Sequence, residues 1–208
     1  MKRFILSSVI ALQFLGTPVL AMAEDRMPPI PPAQYDEAQK KAAEDFLAAR
    51  KTPVFGPFDV LMRSPEFMST ARAMGDYLRY KPAIGTVLSE FVILIVSREW
   101  AQDYEWYVHA PIAAKQGISK EIIDAIKEGR RPPGMSDDQV IVYDLIDELT
   151  HTHRVSDATY DKAVKRFGEK GFIDITGIAG YYTLLAMTMN AARSPSAPDG
   201  TKLPRFPE

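Results

Sequence analysis

The sequence has no cysteine among its 208 residues. That absence excludes disulfides, thiolate metal sites and thiol catalysis. Nor is there an excess of positive charge: 25 Lys and Arg face 27 Asp and Glu, a net charge of −2. No global field exists to gather nucleic acid. Histidine is scarce, with three residues. His151 and His153 are spaced i,i+2 and would point to different sides of a helix. No H-E-x-x-H motif accompanies them, so no metal site is expected. Alternating strands joined by a hairpin turn signal are also missing.

What is present suits an ordinary soluble domain: 46% hydrophobic and 25% charged residues. A chain of this length can bury a large core without cross-links. Residues 1–23 read as an export signal. Lys2 and Arg3 form a positive start, the mostly apolar run 4–15 follows, and Ala21-Met22-Ala23 is a cleavage site. The apolar run is short of the roughly 20 residues a membrane span needs. Cleavage would shift the net charge from −2 to −4. A periplasmic or secreted protein is expected, without stable membrane insertion.

Pro28, Pro29, Pro31 and Pro32 predict an extended, flexible arm over 24–33. With the following helix it makes an N-terminal region, 24–54. Helical periodicity covers 34–50, with Ala38, Ala42, Phe46 and Ala49 as one stripe. Thr52 to Pro57 reads as a turn. Ser64-Pro65-Glu66 opens a helix that ends before Pro82. Helices follow over 85–98 and 102–116, the first with Val87, Glu90, Phe91, Leu94 and Ile95 on one side. The run 91–96 also fits a buried strand, but Glu90 and the polar Ser97-Arg98-Glu99 favour helix. Gly117 suits a helix end. Further helices are predicted over 119–128, 136–151, 156–168 and 172–192, the second opened by a capping box from Ser136 to Gln139. Pro195, Pro198, Pro204 and Pro207 mark a non-helical tail, 195–208. The expected fold is all-α, a bundle of about seven or eight helices.

The chemistry concentrates between Glu90 and His109. Glu105 and His109 stand four apart, on one helix face, and Gln102 shares it. Glu90 lies on the preceding helix. It meets this face if the two helices pack antiparallel across the bend at 97–101. Histidine exchanges a proton near neutral pH. One carboxylate orients it, while a second, desolvated one stays protonated and serves as an acid. Such help is worth roughly 10²–10⁴-fold in rate. A Glu–His pair at this spacing also occurs on solvated helix faces. Tyr104, Trp106 and Tyr107 alongside fit a core or subunit interface as well as a substrate contact.

The order Glu90…Val96-Ser97…Tyr104-Glu105-Trp106…His109, then Ala113-Ala114…Gly117-Ile118-Ser119, Val155-Ser156-Asp157…Tyr160 and Gly180-Tyr181-Tyr182…Asn190, resembles the carboxymuconolactone decarboxylase and alkylhydroperoxidase D superfamily over about 55–194. The resemblance implies an alkylhydroperoxidase D-like bundle, a homo-trimer or homo-hexamer, a small-molecule substrate and no cofactor. The peroxidase branch pairs a Cys-x-x-Cys with a glutamate and a histidine. Glu90 and His109 match the latter two, while Gln102 and Glu105 occupy the cysteine positions. The missing thiols point to the decarboxylase-like branch, where a glutamate often precedes the histidine by four.

A lyase acting on a carboxylated lactone is therefore the implied activity. His109 and Glu105 would transfer protons and Glu90 would orient or relay. Arg98, Gln102 and Trp106 would contact substrate, with a surface ion pair as the alternative for Arg98. The family's aromatic-catabolic decarboxylase works in the cytoplasm, so an exported relative would take another lactone or a related aromatic-derived acid. Two other readings are a periplasmic binding or assembly module without chemistry, and a peroxidase, which the lack of cysteine disfavours.

Overall fold

The computed structural model describes residues 25–195, 198–200 and 202–205. The proposed export signal lies outside the described residues. Among the described residues eight α-helices follow one another: α1 Glu37–Arg50, α2 Pro57–Leu61, α3 Pro65–Tyr80, α4 Gly85–Glu99, α5 Asp103–Lys115, α6 Lys120–Lys127, α7 Asp137–Thr152 and α8 Asp157–Ala192. No strand occurs among the described residues. The all-α bundle expected from the sequence is the fold that forms.

Local chemistry sets most helix starts. The side chains of Ser119, Ser136 and Ser156 each accept a backbone N–H from the first turn they open. Gln139 completes the box at Ser136, and Asp36 with Gln39 forms another at α1. Ser64 differs from expectation. It makes no capping bond, and Pro65 alone begins α3. The short α2 was not visible in the pattern, because five residues are too few to display a helical period. Gly168, at φ 71° and ψ 170°, breaks α8 where the sequence predicts a boundary between two helices.

α4 is the central element. It packs against α3, α5, α6, α7 and α8. The predicted one-sided stripe is therefore corrected. Ser89 through Leu94 are all buried, whereas Val87 is 41% exposed. A helix enclosed by neighbours buries apolar residues all round. The α1 stripe is also narrower than expected, with Ala42 and Phe46 buried but Ala38 and Ala49 exposed. α8 is long and apolar enough to cross a membrane by length and composition. Here much of its apolar surface is spent on α2, α3, α4 and α7.

The proline-rich arm is docked rather than free. Arg26 N–H donates to the Ala192 carbonyl at 2.8 Å, and Arg63 Nη2 to the Pro28 carbonyl at 2.7 Å. Ile30 and Tyr35 pack on the core. The tail is anchored too. Leu203 is 3% exposed, its N–H donates to Asp103 Oδ1 at 2.8 Å, and Arg205 forks onto the same carboxylate at 3.0 and 2.6 Å.

Close helix packing depends on Gly75 of α3. A Cβ there would stand 2.3 Å from Tyr181 Oη. Gly75→Ala should destabilise the fold by about 1–3 kcal/mol through overpacking, read as a lower urea midpoint. An unchanged midpoint would show that Tyr181 yields freely.

Candidate active site

α4 and α5 fold back on one another across three residues, Trp100 to Gln102. Ala101 turns the chain with φ 45°. Gln102 then caps α5, its side chain accepting from Tyr104 N–H at 2.8 Å and donating to Asn190 Oδ1 at 2.9 Å. This hairpin brings Glu90 to His109. His109 Nδ1 lies 2.6 Å from Glu90 Oε2, and His109 Nε2 lies 3.4 Å from Glu105 Oε2. All three residues are buried. Arg79, from the last turn of α3, places Nε 3.5 Å from Glu90 Oε1. Tyr182 of α8 meets the imidazole edge-on, with ring centroids 5.1 Å apart.

Burial governs the protonation states. It pushes the Glu105 carboxyl up to about 8; the Arg79 charge opposes this and Glu90 reinforces it. Burial also lowers His109, and outweighs the hydrogen bond and attraction from Glu90 that favour the imidazolium. Tyr182 is raised well above a normal phenol, chiefly by burial. At neutral pH the site thus holds a carboxylic acid, a neutral imidazole and a phenol. We assign the imidazole proton to Nδ1, donating to Glu90. Nε2 then offers its lone pair on the side of Glu105.

Glu105 Oε1 is buried without a hydrogen-bond partner among the described residues, and Tyr181 Oη is buried near Arg50. Both belong to the wall of a recess of about 30 Å³, shared with Arg79, Tyr104, His109 and Tyr182. That volume is about one water molecule's share of liquid.

The three expected substrate contacts do not line this recess. Arg98 directs Nη1 to the Pro204 carbonyl at 2.8 Å. Gln102 spends its amide on the cap and on Asn190. Trp106 is 5% exposed in the core, one residue and about 100° of helix round from Glu105. Arg79 and Tyr182 were not foreseen. Arg79 looks like a basic residue complementing a helix end. Tyr182 fell within the family-like pattern, but nothing in the spacing gave it a role.

No family model matches the sequence, and no curated protein matches it. Solved structures with the same architecture do exist. One is an alkylhydroperoxidase AhpD core, an uncharacterized peroxidase-related protein from Ralstonia eutropha JMP134. It has a TM-score of 0.66 and 14% identity, over 84% of this chain and 93% of that one. Another is an uncharacterized peroxidase-related protein from Silicibacter sp. TM1040, with a TM-score of 0.65 and 13% identity, over 89% and 96%. The fold is therefore alkylhydroperoxidase D-like. At such identities the likeness is one of fold.

Proposed function

We propose that the protein is an exported, cofactor-free lyase acting on a carboxylated lactone or a related aromatic-derived acid. One observation carries this reading: Glu105 is a buried acid held protonated to about pH 8, 3.4 Å from an imidazole that a second carboxylate backs. In the reaction the bond between the substrate's ring and its carboxylate breaks and CO2 leaves. The electron pair moves toward the lactone carbonyl. Glu105 delivers a proton to carbon and is left as a carboxylate; a proton from solvent then enters at His109 Nε2, while Glu90 holds Nδ1, and passes on to Glu105. Arg79 is the nearby cation for the developing oxyanion, the kind of preorganised charge that lowers such barriers.

The signal-like residues 1–23 support export. Exposed Ile173 and Met187 on α8, at 63% and 51%, support burial against further copies in a trimer or hexamer. The test is turnover of an unsaturated carboxylated lactone by purified protein with nothing added. CO2 release is expected, with one deuterium on carbon when the solvent is D2O. The rate should fall as pH rises through about 8, where Glu105 loses its proton. No product at any pH would end this reading.

The size of the recess favours a second reading, a binding or assembly module without chemistry. A substrate-sized acid enters the 30 Å³ recess only if side chains move. Tight binding without product would select that reading. Thiol-dependent peroxide reduction has no nucleophile in a chain without cysteine.

A further inference from the structure

Next to the recess lies a larger hollow of about 570 Å³, between α1 and α3. That is an ordinary size for a small-molecule site. The two hollows share Arg50 and Phe55. Tyr77 and Tyr80 line the larger one, 38% and 54% exposed. Tyr77 is held by its hydroxyl, which donates to Asp174 at 3.1 Å. Tyr80 is backed by Arg79, whose guanidinium lies 5.3 Å from the ring centroid. The aromatic wall of the hollow therefore touches the cation of the recess.

The charge of this hollow is positive. Arg50 stacks on Phe58 at 4.7 Å and binds Asp76 Oδ1 at 2.9 Å. Asp76 also takes Arg72 at 2.5 Å, so two guanidiniums meet one carboxylate. Lys81 adds a further charge on the wall. A third hollow, about 250 Å³, reaches Tyr104 from the opposite charge environment. The charged residues in its wall are Asp25 and Asp59. A carboxylate substrate is drawn to the first and repelled by the other.

We propose that the hollow between α1 and α3 is the binding vestibule for a planar carboxylate. The substrate's ring lies on Tyr77 and Tyr80 and its charge faces Arg50 and Lys81, on the way to Arg79 and Glu105. The inference rests on the acid–base reading of the recess and adds where the substrate binds and what it looks like.

The test uses benzoate as the anionic probe and benzamide as its neutral match, titrated against the folded protein by NMR. Benzoate should bind and benzamide should bind about tenfold more weakly. Tyr80→Ala combined with Lys81→Gln, both at exposed positions, should weaken benzoate about tenfold. Arg50→Lys, which keeps the charge but loses the fork, should weaken it less than Arg50→Gln. Absent benzoate binding, equal binding of both probes, or indifference to the Tyr80 and Lys81 changes would overturn the vestibule. Should Glu105→Gln abolish lactone turnover while the vestibule variants bind benzoate normally, the acid–base reading stands and the vestibule alone falls.

Discussion

Replacing His109 with alanine should lower turnover of an unsaturated carboxylated lactone by about 10²–10⁴-fold. The imidazole is the link between two carboxyl groups that do not touch. It sits 2.6 Å from Glu90 and 3.4 Å from Glu105. Without it, Glu105 can give up its proton once but has no neighbour positioned to return it. The substitution also takes a donor from buried Glu90. Removing one partner of a buried pair can cost about 3–5 kcal/mol. His109→Gln, which keeps an amide donor near Glu90, separates the two effects. A folded His109→Gln protein should still lack turnover, because an amide does not exchange a proton near neutral pH. Full activity in either folded variant would remove His109 from the mechanism.

The second large effect is on stability against pH. Glu105 ionises near 4.5 when exposed and near 8 when folded. Between those values the folded chain holds a proton that the unfolded chain has released. Stability from this group is therefore fully present below about 4.5 and is lost as pH rises toward 8. By pH 7 the loss is on the order of 3 kcal/mol. Glu105→Gln has no proton to exchange. Its urea midpoint should stay flatter than wild type over about pH 5–8, and the variant should be the more stable of the two at the upper end. His109 works in the opposite direction. Its folded pKa is lowered, so acidification below the usual histidine range protonates the unfolded chain first and weakens the fold. The difference between wild type and Glu105→Gln isolates the carboxyl. Parallel pH curves for the two proteins would mean that Glu105 is ionised inside the recess.

Much of the fold was legible because its signals are local. A serine before a helix, a proline at its first turn and apolar residues at helical spacing act within a few residues of each other. Glu105 and His109 share a face for the same reason: spacing along one helix dictates it. Glu90 was legible through the short bend that returns α5 along α4. That Arg98, Gln102 and Trp106 lie off the recess was not legible, because sequence distance on a helix does not say which of several packed faces a residue meets. That the arm and the tail are docked was not legible for a related reason. Prolines report an extended backbone, but not the partners that Arg26, Arg63 and Asp103 supply from elsewhere.

By itself, then, the sequence determined an all-helical chain without thiol chemistry, carrying a carboxylate and an imidazole one helical turn apart. Those properties depend on residue identity and short spacing. Only the tertiary structure decided that Arg79 and Tyr182 join them and that the carboxyl of Glu105 keeps its proton. Both follow from burial: α3, α4, α5 and α8 exclude water from one point, and the free energy of an ionised carboxyl depends on that exclusion.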